Sequence, residues 1–207
     1  MSDLFNNDLY KTISRPSEGL YKDKGSKFIA FAYPVTGQEE IKAHIERTRK
    51  EYHDARHHCY AWMLGHDRLT YRVNDDGEPS GTAGKPILGQ INSHNLTNIL
   101  IIVTRYFGGT LLGVSGLINA YRSAAFSCIQ NAQIVEKALH DYYLLSFGYN
   151  QMNDVMRVLK EENISQSDQV FDTQCSLTVN FRLSAKDKVL AKFSRIEGLE
   201  VKYIQTR

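Results

Sequence analysis

Apolar and polar positions run along the chain in two rhythms, one of period two and one near 3.6. A half-alternating apolar run from Gly25 to Tyr33 stops at Pro34 and predicts a strand. Ile41, Ile45 and Tyr52 recur at helical spacing, so Gln38–Glu51 reads as a helix with a charged outer face. Thr36 and Glu39 have the spacing of a capping box at its start. Cys59–Leu64 and the alternating Asp67–Val73 read as two strands joined by a tight turn at Gly65-His66. Asn74–Gly89 has no period and is rich in Gly, Pro, Asp and Ser, which predicts a long loop. Asn98–Phe107 is dense in β-branched residues and reads as a buried strand. Beyond a glycine-rich stretch, Leu117, Ala120, Tyr121, Ala124 and Cys128 mark one face of a helix. Its small residues Ala120, Ala124 and Ala125 point to close approach to a sheet.

The texture changes after about Val135. All four prolines and the densest glycines lie before it, which places a boundary near 137–141 and predicts domains at 1–137 and 138–207. The second part reads as strand Asp141–Phe147, helix Asn150–Glu162, short strand Gln169–Phe171 and strand Cys175–Leu183. A helix at Ala185–Ile196 capped by Ser184 and a strand at Leu199–Ile204 complete it. That βαββαβ order is the ferredoxin-like pattern.

The chain has 207 residues, 42% hydrophobic and 23% charged, values of a globular protein that exclude disorder and collagen-like order. A net charge of +2 excludes a grossly basic coat but leaves room for a local patch. Three scattered cysteines, Cys59, Cys128 and Cys175, argue against a disulfide scaffold and for a reducing compartment. The opening Met-Ser-Asp-Leu-Phe has neither a basic start nor an apolar run, so no signal peptide is expected. The longest apolar stretch, Ile99–Val103, is far short of the ~20 residues of a membrane helix. A soluble, cytoplasmic protein with no membrane partner is expected.

Four segments carry candidate chemistry. Asp75–Pro86 puts three carboxylates, two hydroxyls and Lys85 on a glycine-rich loop, a pattern open to a phosphate or a hard cation. It is not a P-loop, because its glycines are too close and Pro86 stands where a Ser or Thr belongs. The plainer reading is a loop whose Asp and Ser side chains satisfy its own backbone. Thr104–Thr110 places Arg105 and Tyr106 at a strand end, suited to phosphate pairing and base stacking, with Gly108 and Gly109 permitting close ligand approach. The plainer reading leaves Arg105 solvated or paired with an Asp of the preceding loop. His53, His57, His58 and Cys59 have ligand chemistry, but His57 and His58 would point to opposite faces of a strand, so no metal site is expected. Lys22, Lys24 and Lys27 around Tyr21 and Phe28 form a basic edge suited to RNA.

Lys24–Ala30, Asp75–Leu88 and Arg105–Gly113 together resemble the YigZ/IMPACT family, and the resemblance extends over essentially the whole chain. It implies an α+β protein: an N-terminal ribosomal-protein-S5-domain-2-like domain, then a ferredoxin-like domain similar to the last domain of elongation factor G. The family's eukaryotic members act in translational control, competing for an activator of the kinase that senses uncharged tRNA. This sequence begins at the IMPACT domain with no preceding RWD domain, so that pathway is not expected here.

The resulting expectation is a non-catalytic binding protein linked to translation, taking RNA, the ribosome or a translation factor, with no DNA sequence specificity and no cofactor. The candidate binding residues are Lys24, Lys27, Asp76, Glu78, Ser80, Thr82, Lys85, Arg105, Tyr106, Gly108 and Gly109. Lys85 and Arg105 are expected to share one anion-receptive hollow. The alternatives are an enzyme or small-molecule binder acting on a phosphorylated ligand at the Asp75–Lys85 loop, and a protein-interaction adaptor.

Overall fold

A computed structural model describes residues 8–207. The opening Met-Ser-Asp-Leu-Phe read as free of a signal peptide therefore lies outside the described residues. The chain divides into two compact units, Tyr10–Lys137 and Ala138–Arg207, the latter including residues 8–9.

The first unit contains β1 (Leu9–Ile13, all but its first residue), β2 (Ser17–Asp23), β3 (Ser26–Pro34), α1 (Gln38–Glu51), β4 (His57–Leu64) and β5 (Thr70–Asn74). It continues with α2 (Gly84–Ser93), β6 (Ile99–Tyr106), α3 (Gly113–Gln130) and β7 (Ile134–Ala138). Five strands form an antiparallel sheet in the order β2-β3-β6-β4-β5, and β1 pairs with β7 in a separate ribbon. Side-chain alternation sorts the sheet's two faces. Ile99, Ile101 and Val103 of β6 pack with Cys59 and Ala61 of β4 against α2 and α3. Leu100 and Ile102 pack with Tyr60 and Trp62 beneath Ile41 of α1. With both faces covered, the apolar run of β6 is continuous rather than alternating. The small residues of α3 admit the expected close approach: a Cβ on Gly19 of β2 would stand 2.3 Å from the Cys128 nitrogen.

Three local expectations are corrected. The region expected as loop to Gly89 turns helical at Gly84, because Asp75 caps α2 from nine residues upstream. Pro86 is tolerated there because the first turn's N–H groups have no intrahelical partner to lose. The turn at Gly65-His66 is a longer connection, with Arg68 at φ 57 and β5 starting only at Thr70. At the start of α1, Gly37 is the N-cap, so the acid reaching back to the Thr36 N–H is Glu40 (2.7 Å), not Glu39.

The second unit contains β8 (His140–Phe147), α4 (Met152–Glu161), β9 (Ser165–Phe171), β10 (Cys175–Arg182), α5 (Lys186–Phe193) and β11 (Glu200–Thr206). Its antiparallel sheet runs β11-β8-β10-β9, the ferredoxin-like order. Leu145, Leu177 and Val179 meet Val155, Val189 and Phe193 of the two helices in its core. The expected first domain began at residue 1, yet Asp8 goes with this unit. Its carboxylate accepts from Arg182 Nε and Nη2 (3.1 and 3.0 Å) and from Ser184 Oγ (2.6 Å). The Ser184 hydroxyl, expected to cap the next helix, is spent on that bond, and Leu183–Ala185 makes a 3₁₀ turn before α5. Burial opposes ionisation of Asp8, but the Ser184 and Arg182 bonds outweigh it and hold the carboxyl below its usual range. The chain is thus an α+β protein of two units.

Candidate functional site

Two polar clusters stand out in the first unit. The first lies where the Asn74–Ala83 loop crosses the ends of β4 and β6. Asp75 organises that loop, accepting from the backbone N–H groups of Gly81 (2.8 Å), Ala83 (3.0 Å) and Gly84 (2.8 Å). Burial alone would raise its pKa, but these donors lower it below the usual 3.8. Gly77 (φ 86) and Gly81 (φ 78) take the left-handed turns. Thr82 is buried and donates to the Pro79 carbonyl at 2.7 Å, and Ser80 is exposed. Much of the loop's polarity therefore serves the loop itself. Asp76 bonds Arg49 at 2.8 Å and accepts the His58 N–H at 2.6 Å, which ties the loop to α1 and β4.

Glu78 is the loop's one inward acid. It forms an ion pair with Arg105 of β6 at 2.6 Å, and the two side chains are only 4% and 7% exposed. The plainer reading paired Arg105 with an Asp of the preceding loop; the partner is instead Glu78 of that loop, because Asp75 is taken up by the loop's N–H groups and Asp76 by Arg49 and the His58 N–H. Its guanidinium lies 5.4 Å from the Phe28 ring centre and 5.8 Å from that of Phe107. Tyr121 of α3 donates to Glu78 Oε1 at 2.8 Å, and its oxygen lies 3.3 Å from the Cys59 sulfur. His57 Nδ1 donates to the Asp76 carbonyl (2.8 Å), which can only accept, so the proton sits on Nδ1. Its Nε2 faces Glu78 at 3.9 Å. Burial pushes the Cys59 thiol and the Tyr121 phenol well above their usual ranges, so neither is an ionised nucleophile at neutral pH. His58 turns to the other face and contacts the Tyr52 carbonyl at 3.0 Å, as the strand geometry requires. Among the described residues no group of three or more His, Cys, Asp or Glu is placed to hold a metal ion.

Lys85 does not join this cluster. It is exposed in the first turn of α2, with its stem beside Gly81, and lies outside the residues that line the hollow at Arg105. The shared Lys85–Arg105 hollow is therefore not formed. Gly108 also has a structural duty. A Cβ there would stand 1.9 Å from the Gly25 carbonyl carbon, because the two backbones cross. Gly109 (φ 86) is open to solvent.

The second cluster is the β2–β3 hairpin. Lys24 (φ 43) and Gly25 (φ 80) make its two-residue turn. Lys22 and Lys27 are direct cross-strand partners, and Tyr106 of β6 is the partner of Lys27 on the other side. One row across three strands thus reads Lys-Lys-Tyr. All three lysines are exposed, and among the described residues none makes an ion pair. The Tyr106 hydroxyl donates to Asp54 at 2.7 Å, and that bond raises the phenol's pKa to about 12.

Tyr121 is the site residue that sequence reasoning took for core. The available signal was a tyrosine in a stripe otherwise made of Leu, Ala and Cys.

Fold and site define an α+β protein with a buried, internally paired charge cluster and an unpaired basic hairpin. The family model described as the Impact N-terminal domain matches residues 24–129, which contain every residue of both clusters except Lys22. The chain is 38% identical over 138 residues to IMPACT family member YigZ of Escherichia coli (strain K12), covering 66% of this chain and 68% of that protein. It is 33% identical over 165 residues to IMPACT family member YvyE of Bacillus subtilis (strain 168), covering 76% of each. The similarity to the Protein IMPACT homolog of Saccharomyces cerevisiae is 35% over 96 residues, 44% of this chain and 36% of that protein. A crystal structure described only as that of a hypothetical protein superposes with a TM-score of 0.71 at 31% identity, over 95% of this chain and 98% of that one. The chain belongs to the IMPACT family. No helix among the described residues is long and apolar enough to cross a membrane.

Proposed function

We propose that this chain is a non-catalytic binding protein linked to translation, and that it takes RNA, free or exposed on the ribosome, along the β2–β3 hairpin. The observation that carries this is the Lys22–Lys27–Tyr106 row with Lys24 at the turn beside it. Like charges placed directly opposite across two strands repel, a cost that a bound anion relieves. A phosphate backbone supplies that anion, and the half-buried Tyr106 ring supplies a surface for a base. Beside the row, Glu18, Leu20, Lys27, Ile29 and Tyr52 line a depression of about 420 Å³ at the C-terminal end of α1. The translation link comes from family kinship: eukaryotic relatives carry the IMPACT name.

The test is a salt titration of binding to a single-stranded RNA by filter retention. Each phosphate neutralised contributes about 0.7 to the log–log slope, so replacing Lys22, Lys24 and Lys27 together by Ala should lower the slope by about 2. Absence of salt-dependent binding by the wild type, or an unchanged slope in the triple variant, overturns the reading.

A further inference from the structure

The hollow beside Arg105 has a volume of about 400 Å³, within the range of small-molecule sites. Phe107, Leu111, Val114 and Leu117 supply its apolar wall, and Arg56, His57, Glu78 and Arg105 its polar one. The apolar side is unusually open: Leu111 is 83% exposed, Val114 59% and Phe107 43%. Clustered exposed apolar residues at the rim of a cavity mark a place where something binds. The polar side sets the sign of the ligand. Arg56, Arg105 and Glu78 line it, and since Arg105 is paired with Glu78, Arg56 carries the positive surplus. Arg105, which lines the hollow, is nine-tenths buried, and its Nε, itself buried, has no hydrogen-bond partner among the described residues, a donor left unspent. The edge of the hollow is the start of α3 at Gly113, which has no side-chain cap and no acidic residue in its first turn. Its free N–H groups favour an anion.

We propose that this hollow binds an amphipathic organic anion, a carboxylate or phosphate monoester on a compact apolar body. The charged head lies between Arg105 and the start of α3, and the body lies against Phe107, Leu111 and Val114. The site is independent of the RNA reading, because Lys22, Lys24 and Lys27 do not line it.

The test is thermal unfolding of the full chain with four probes: phenyl phosphate, phenylacetate, inorganic phosphate and benzyl alcohol. A probe that binds only the folded state raises Tm with its concentration. Phenyl phosphate, phenylacetate or both should raise Tm by a few degrees, and which of them does so identifies the head group. Inorganic phosphate and benzyl alcohol, each lacking half of the ligand, should do markedly less. Leu111→Asp and Val114→Asp change exposed positions and place a carboxylate at the mouth, so each should weaken the responding probe at least tenfold. The triple lysine variant should respond as the wild type does. The proposal is overturned if neither amphipathic anion raises Tm, if inorganic phosphate or benzyl alcohol matches them, if both Asp variants bind as the wild type, or if the lysine variant loses the response.

Discussion

The two polar clusters of the first unit hold similar residues and use them in opposite ways. At Glu78 and Arg105 the opposite charges find each other at 2.6 Å, and Tyr121 and His57 close around them. On the β2–β3 hairpin, three lysines lie within six residues, two of them directly opposed, and among the described residues none has an acid for a partner. A charge satisfied inside the fold serves stability and shape, and a charge left unpaired on the surface is available to a partner. Charged residues named from sequence as binding candidates thus divide into those the fold consumes and those it presents.

The largest effect should come from breaking the inward cluster on one side only. Glu78→Ala leaves a buried guanidinium without its carboxylate and should cost about 3–5 kcal/mol in chemical denaturation. The double change Glu78→Leu with Arg105→Met removes both charges and should recover most of that loss. If the double variant is no more stable than the single, the pair is not the coupled unit described.

Next is the backbone crossing that brings the hairpin to the strand end. Gly108→Ala drives a Cβ into the Gly25 main chain and should cost about 3 kcal/mol, read in the same assay. Asp75→Ala follows at about 2 kcal/mol, since it orphans the donors at the start of α2. This contribution also depends on pH. The folded carboxyl is depressed below 3.8, so its stabilisation is complete at neutral pH and is lost as pH falls below 3.8 through the folded value. Asp75→Asn should flatten that part of an acid titration of stability. The smallest effect belongs to the outward cluster: changing Lys22, Lys24 and Lys27 to Ala should move stability by less than about 0.5 kcal/mol each.

Much of the fold was legible because its signals are local. The periodicity of Ile41 and Ile45 gives α1, the β-branched run gives β6, and the alternation in Cys175–Arg182 gives β10. What escaped depends on distant partners. α2 begins where it does because of a carboxylate nine residues away, and no local pattern announces that. The bounds of β2 escaped because its residues lack a clear apolar alternation, and what fixes the strand is a distant contact, Gly19 against α3. At the site, Glu78 and Arg105 were legible as residue types, but their pairing spans 27 positions. Tyr121 was hidden in an apolar helical stripe, and its partner Glu78 lies 43 positions away. Lys85 misled for the opposite reason, since nearness in sequence to the loop did not place it among the residues that line the hollow at Arg105.

The division between consumed and presented charge is tested most directly by one paired measurement, the salt dependence of RNA affinity for two variants side by side. The account predicts a shallower slope and weaker binding for the Lys22, Lys24 and Lys27 variant, with the Glu78→Leu, Arg105→Met protein indistinguishable from wild type. A slope that falls in the Glu78/Arg105 protein and holds in the lysine variant would contradict it.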